Sequence, residues 1–223
     1  INPAYAGATK ALSLALLHRN QWVGLEGAPT TNSFSAHMPL KNKKVNLGVS
    51  IVSDHFGLTK KNNINAVYAY RIQMHTAAIS FGLQGGIELL RNNYTSAQTT
   101  TAGDQLFMAD QRSVTPRAGA GIYYNTEKFY AGLSAPSLLR VSKTNEYSFS
   151  PAFFHASYSV VINDNFVLQP SLLVKYISHS PIQFDINLMS TYKDFSFGAS
   201  YRTKDALVLL SQFALNDQLR AGY

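Results

Sequence analysis

Residues 64–73 read INAVYAYRIQ, and residues 77–89 read AAISFGLQGGIEL. In both segments an apolar or aromatic residue alternates with a small or polar one, which is the period of a β-strand with two different faces. The same alternation returns at 182–188 and at 195–202, and no segment has a sustained helical period with helix caps. The sequence therefore predicts an all-β fold.

The predicted strands are long. Most have ten residues or more, against the five or six usual in globular proteins, and a strand that crosses a membrane at a tilt needs about 9–11. The alternation predicts thirteen strands, at 10–23, 31–40, 44–54, 63–73, 76–90, 116–125, 127–136, 151–162, 165–178, 181–192, 194–202, 206–215 and 217–223.

Short and long connections alternate along the chain. The short ones centre on 42–43, 74–75, 125–126, 164–165, 193–194 and 216–217. The others are generally longer, at 24–30, 55–62, 91–115, 137–150 and 179–180, with a brief one at 203–205. Short turns on one rim and long loops on the other are typical of an outer-membrane barrel. Aromatic residues near the short turns predict an interfacial girdle: Tyr123, Tyr124, Phe129, Tyr130, Phe166, Tyr192 and Phe195.

These features predict a transmembrane antiparallel β-barrel of the outer-membrane type, formed by one domain over residues 1–223. Single-chain bacterial barrels have an even number of strands, with both termini on the short-turn side. We therefore expect fourteen strands in the intact barrel, thirteen of them represented here, with the termini in the periplasm of a Gram-negative bacterium. Two alternatives remain: Tyr223 is the aromatic last residue of a complete barrel, or the count is off by one.

Composition excludes several other classes of protein. Charged residues make up 14% of the chain, against about 25% in soluble domains, and 46% apolar residues exclude intrinsic disorder. The longest apolar runs, such as 206–210, are far shorter than a membrane-spanning helix. The absence of cysteine excludes disulfides and cysteine-ligated metal sites. The first residues are not those of a signal peptide, so the chain is either cytoplasmic or already processed.

The net charge of +7 does not by itself indicate a nucleic-acid partner, because the basic residues are dispersed. The tight groups, at 41–44 and 60–61, fall in predicted turns and are interpreted as solvated. We expect no nucleic-acid partner.

Few residues suggest chemistry. The histidines lack metal-ligand spacing such as HExxH, and neither a cofactor nor a metal is expected. Asp54 with His55, or His155 with Ser157, offer the residue types of a barrel hydrolase, but these types fall together easily in a polar barrel. The glycine-rich segment 24–29 lacks the features of a phosphate loop and is predicted to be a turn.

The strand phases place several polar residues toward the lumen. The Lys175–Asp185 pair is predicted to face across a hairpin, and Pro170, which cannot donate to the ladder, is predicted to mark a bulge. Two interpretations remain, packing of a polar interior and the selectivity lining of a pore, and we favour packing. The candidates are Arg71, Gln84, Glu88, Arg117, Lys175, Asp185 and Arg202, together with Gln169 and Asn187.

Two motifs lie near the start of the chain: Asn2, Pro3, Ala4, Tyr5 and Gly7, followed by Arg19, Asn20, Gln21, Trp22, Gly24, Gly27 and Pro29. These motifs resemble those of the PorP/SprF family of outer-membrane proteins, which belongs to the type IX secretion system. Weaker matches lie at 129–136, 170–176 and 200–223, so the resemblance covers nearly the whole chain.

The resemblance implies a non-enzymatic barrel that works with the secretion and gliding machinery. The expected partners are a secreted surface adhesin or its C-terminal domain, periplasmic and outer-membrane components of the system, and outer-membrane lipid and lipopolysaccharide. Loops 55–62, 91–115 and 137–150, or the lumen mouth, are the expected contact surfaces. The alternatives are a diffusion or solute channel, then a barrel hydrolase, with a soluble β-sandwich as the simplest structural explanation.

Overall fold

The computed structural model describes residues 2–41, 43–96, 109–140, 150–203 and 205–223. It confirms the all-β fold: apart from two short 3-10 helices, Pro3–Tyr5 and Tyr94–Ser96, the regular elements are strands. They are β1 (Ser13–Asn20), β2 (Thr30–Pro39), β3 (Val45–Phe56), β4 (Thr59–Gln73), β5 (Ala77–Asn92), β6 (Gln111–Thr126), β7 (Phe129–Arg140), β8 (Ala152–Tyr158), β9 (Val160–Asn163), β10 (Phe166–Tyr176), β11 (Gln183–Tyr192), β12 (Phe195–Arg202), β13 (Ala206–Ala214) and β14 (Arg220–Gly222).

The strands form one antiparallel sheet in which neighbours in sequence are neighbours in space. The count of fourteen differs from the predicted thirteen because the strand expected at 151–162 is divided into β8 and β9, both of which pair with β10. The division at Ser159 lies next to Pro170 of β10, whose missing N–H interrupts the ladder. The bulge predicted at Pro170 is therefore wrong, because the register on either side of it is unchanged.

The connection predicted at 55–62 is also wrong. β3 and β4 continue through this segment and are joined by a two-residue turn at 57–58. Its polar residues pair across the strands, with Asp54 opposite Lys61 and His55 opposite Lys60. At the end of a barrel strand the residues extend beyond the lipid and are often polar. Such residues look like a loop in the sequence, although their backbones still pair with the neighbouring strand.

β4, β5 and β6 are 15, 16 and 16 residues long, more than the roughly 9–11 that cross a membrane. Short turns join β4 to β5 and β6 to β7, so the surplus length lies on the opposite side, beside the 93–110 connection. We call that side the long-loop rim and the side of the 40–44, 74–76 and 127–128 turns the short-turn rim.

The two faces of the sheet differ in chemistry. In the β5–β6 pair, Phe81 lies opposite Ile122 on one face, and Ser80 lies opposite Tyr123 on the other. The first face is apolar and exposed, and it includes Leu47, Val49, Ile51, Tyr68, Leu83, Leu133, Ile186, Leu188, Phe197, Tyr201 and Leu209. The second holds buried polar residues such as Asn46, Asn63, Asn65, Arg71, Glu88, Thr115 and Asp185. Apolar residues outside and polar residues inside are the arrangement of a membrane barrel and the reverse of a soluble sandwich.

The sheet curves around its polar face. Arg71 of β4 donates through Nη2 to Asn125 Oδ1 of β6 at 2.9 Å, across the intervening strand. The ring of Tyr5, in the first 3-10 helix, contacts His37 of β2 and Tyr123 of β6. The Tyr5 side chain therefore contacts two strands, β2 and β6, that are four positions apart in the sheet. This requires the inner face of the sheet to be concave.

The aromatic girdle is only partly as predicted. Phe129, Tyr192 and Phe195 lie exposed on the outer face near the short-turn rim. Tyr123 and Tyr130 instead point inward, because they are in the same phase as Gly121 and Gly132 on the concave side. The prediction used sequence distance from the turns and did not follow the strand phase.

The assignment of faces predicts unequal effects of one arginine at adjacent positions in β11. Ile186 is 58% exposed on the outer face, whereas Asn187 lines an inner cavity. We expect Ile186→Arg to destabilise the protein folded in a bilayer by about 2–4 kcal/mol, as for a cation near the midplane, and Asn187→Arg to cost much less. Urea titration of folding into lipid vesicles measures both, and equal losses would contradict the assignment.

Candidate functional site: the occupied lumen

The N-terminal segment, residues 2–10, lies on the concave face of the sheet. Asn2 caps the 3-10 helix, since its Oδ1 accepts from the Ala4 N–H at 2.9 Å, and its Nδ2 donates to the Ile122 carbonyl of β6 at 3.0 Å. Pro3 occupies the first turn, where a missing N–H costs nothing. Pro3 and Ala4 are buried, and Ala4 is 0% exposed. The first family motif is therefore an internal element of the barrel.

Two glycines of the sheet make room for this segment. A Cβ on Gly82 of β5 would overlap the backbone of Pro3 and Ala4, and one on Gly121 of β6 would overlap the Asn2 side chain. The two glycines are register partners, so they form one flat platform beneath the 3-10 helix. No side chain fits at Gly82 without moving the segment, because the opposing atoms are backbone.

An aromatic cluster surrounds the segment. Tyr5 makes edge-to-face contacts with His37 and Tyr123, with ring centroids 5.5 and 5.4 Å apart. Tyr123 in turn contacts Tyr130 and stacks on His155, at 5.8 and 5.9 Å. His37 also accepts the Gly7 N–H at its Nδ1, at 3.2 Å. These contacts fasten the segment to β2 and β6, and Tyr123 extends the cluster to β7 and β8.

The geometry does not favour the hydrolase hypothesis. Ser157 Oγ donates to the Pro170 carbonyl at 2.9 Å, and the His155 ring packs against Tyr123 and Tyr130. Asp54 accepts from Thr31 Oγ1 at 2.6 Å, and its neighbour His55 points to the opposite face of β3. His155 is packed against tyrosine rings and His55 is exposed, so neither histidine is placed to act on the nearby serine or aspartate.

Space remains on both sides of the segment. One cavity of about 690 Å³ is bounded by Tyr5, His155 and the inner residues of β10 and β11. A second cavity, of about 300 Å³, is bounded by the segment and the inner faces of β1 to β5. The N-terminal segment thus divides the lumen.

Toward the long-loop rim, Glu88 gathers three cations. Its carboxylate lies 3.0 Å from Lys61 Nζ and 3.4 Å from Arg117 Nη1, and it accepts from Arg140 Nη2. Glu88 is 2% exposed, and Arg117 also donates to Ser137 Oγ at 3.0 Å. The predicted lumen residues Glu88 and Arg117 therefore meet, together with Lys61 and Arg140, which the sequence predicts in a turn and in a loop.

The other predicted lumen residues also face inward. Gln84 donates to the Pro136 carbonyl at 2.8 Å. Asp185 accepts two hydrogen bonds from Arg202, at 2.9 and 3.0 Å. The predicted Lys175–Asp185 pair is wrong, because the register puts Gln183 opposite Lys175 and Leu173 opposite Asp185. Asp185 is instead paired with β12, the next strand along the sheet.

The second motif builds the loop between β1 and β2 on the long-loop rim. Arg19 and Asn20 end β1, and the Gln21 N–H donates to the Pro29 carbonyl at 3.0 Å, closing residues 22–28 into a compact loop. The carbonyl of Gly27 accepts from the Gly57 N–H at 2.8 Å, which fixes the loop to the β3–β4 turn. The apolar side chains of Trp22, Val23 and Leu25 project from this loop and are 69, 86 and 65% exposed.

The base of the 93–110 connection is also fixed. Asp110 accepts from the hydroxyl and the backbone N–H of Thr95, at 2.8 and 3.3 Å, and lies 3.6 Å from Arg91. The hydrogen bonds from Thr95 lower the pKa of Asp110, with a smaller contribution from Arg91. Most of the expected contact loops 91–115 and 137–150, namely 97–108 and 141–149, lies outside the described residues.

Across the described ranges, no group of three or more His, Asp or Glu side chains is arranged to hold a metal. In that same part of the chain no helix has the length and hydropathy to cross a bilayer.

The fold and its concave face define a class of protein: a long-stranded antiparallel sheet of the β-barrel type, apolar outside and polar inside, that holds a segment of its own chain against the inner face. The chain belongs to the family described as type IX secretion system membrane protein PorP/SprF, whose model matches residues 1–223. Members of this family are components of a secretion system. No curated protein matches the chain.

Sequence reasoning missed the residues that receive the segment. Gly82, Gly121, His37 and Asn46 are dispersed over four strands, and nothing in a single strand identifies them; Asn46 belongs with them because its side chain lies where a Cβ on Gly7 would be. The available signal was phase: Gly82 and Gly121 occupy inward positions in neighbouring strands, where a small residue is needed only if something approaches closely.

Proposed function

We propose that this protein is an outer-membrane barrel of the type IX secretion and gliding machinery that binds or anchors a secreted adhesin. It has no enzymatic role, its termini lie in the periplasm, and the adhesin docks through its C-terminal domain. Components of the periplasmic ring contact the short-turn rim, and outer-membrane lipid and lipopolysaccharide surround the apolar face.

The observation that carries the proposal is the occupied lumen. A barrel that holds its own N-terminal segment in place with an aromatic cluster is suited to present surfaces rather than to pass solutes. Family membership supplies the secretion system as the context. The exposed apolar side chains of Trp22, Val23 and Leu25 offer a contact surface on the long-loop rim.

Deletion of the gene tests the proposal in cells. We expect the loss of surface display of a particular adhesin, restored by the wild-type gene, while other outer-membrane proteins stay at normal levels. Unchanged display of every secreted surface protein would contradict it. Affinity purification in mild detergent, followed by mass spectrometry, identifies the partner.

A solute channel is the second candidate. The polar cavities beside the segment favour it, because a path around the segment would be lined with hydrogen-bonding groups. Planar bilayers separate the two candidates: the adhesin-binding proposal expects no stable open level in the wild-type protein, and a channel requires one.

A further inference from the structure

A cavity at the short-turn end of the lumen is lined by positive charge. It has a volume of about 590 Å³ and lies between the N-terminal segment, the end of β2 with the following turn, and the end of β4. Lys10, Lys43, Lys44 and Arg71 line it. Within the described ranges, neither aspartate nor glutamate contributes to the lining. Every other lining residue is uncharged.

Arg71 is the most unusual of the four. It is 5% exposed, and its Nη2 donates to Asn125 Oδ1. Its Nε and Nη1 are buried without a hydrogen-bond partner in the part of the chain that the structure describes, and no carboxylate there forms an ion pair with it. Arg117 and Arg202, by contrast, each have a carboxylate. A buried guanidinium without an anion is costly, which indicates that an anion from outside the chain completes the site.

We propose that this cavity is a binding site for an anion of the phosphate class. Several cations around one space call for a polyvalent anion, and a phosphate group carries up to about two negative charges with several acceptor oxygens. Arginine and lysine are the side chains that bind such groups. The phosphate comes either from a free phosphate compound or from a phospholipid headgroup at the rim, where basic pockets bind such headgroups.

The test uses the whole protein in nanodiscs of neutral phosphatidylcholine, titrated with inorganic phosphate in a calorimeter. We expect saturable binding that Lys43→Asn and Lys10→Asn each weaken at least fivefold. Lys193→Asn is the matched control, because Lys193 also lies in a short turn with a left-handed backbone, φ 51° against 54° for Lys43, but does not line the cavity. Arg71→Gln should abolish binding, and if that variant does not fold, the variants of Lys43 and Lys10 still decide the matter.

A second set of nanodiscs, containing anionic phosphatidylglycerol, distinguishes the two sources of phosphate. If the headgroup occupies the site, apparent affinity for inorganic phosphate falls in the wild type relative to the neutral discs, and unchanged affinity assigns the site to a free phosphate compound. The proposal is overturned if the wild type shows no saturable binding in neutral discs. It is also overturned if Lys43→Asn and Lys193→Asn bind phosphate equally well.

Discussion

Gly82→Ala opens the barrel: we expect a stable conducting level in planar bilayers where the wild-type protein has none. The added Cβ would overlap the backbone of Pro3 and Ala4. Backbone atoms cannot rotate out of the way as the end of a flexible side chain can. The N-terminal segment must therefore leave its platform, and the cavities of about 690 and 300 Å³ then merge. Overpacking of this kind costs about 1–3 kcal/mol, so urea unfolding should also show a loss of stability.

Gly85→Ala is the matched control for this prediction. Gly85 lies in the same strand, three residues away, and a Cβ there meets nothing within 4 Å. We expect this variant to remain closed and to unfold like the wild type. Conductance in both variants, or in neither, would show that the segment does not close the lumen.

Glu88→Gln should be the most destabilising of the single substitutions considered. The buried carboxylate pairs with Lys61, Arg117 and Arg140, and glutamine keeps its shape but removes its charge. Lys61, Arg117 and Arg140 then face one another without the negative charge of Glu88. Breaking a buried ion pair from one side costs about 3–5 kcal/mol. Equilibrium unfolding in urea from lipid vesicles measures the loss.

Glu127→Gln provides the comparison, because Glu127 is exposed in the turn between β6 and β7. A surface change of this kind usually alters stability by less than about 0.5 kcal/mol. If the two glutamines cost the same, the Glu88 cluster contributes little, and its charges are better understood as solvated in an open lumen.

The alternation that begins at Ile64 was sufficient to predict the fold class and most strands. It works because one face of each strand meets lipid and the other a polar interior, so the chemistry repeats every two residues. It failed at 55–62 and at 91–92, where the strands rise beyond the membrane and the lipid-facing signal ends. It also missed the division at Ser159, which is caused by Pro170 on a neighbouring strand.

The inward orientation of each lumen residue could be predicted from the sequence, but its ion-pair partner could not. Strand phase placed Glu88, Arg117 and Asp185 inward, yet which oppositely charged partner each meets depends on the register between strands. Arg117 and Arg140 face each other only because of an irregularity in the β6–β7 pairing near Gly119. The place of the motif at 2–7 inside the barrel was beyond reach, since no pattern within the motif states what surrounds it.

Site-specific photo-crosslinking in living cells tests the central claim most directly. A photoreactive residue at Trp22, exposed on the long-loop rim, is compared with one at Ile186, exposed on the lipid-facing side. The account predicts an adduct between position 22 and a secreted surface protein, with none of that adduct at position 186. Absence of any secreted protein at position 22, in cells that display their adhesins normally, would contradict it.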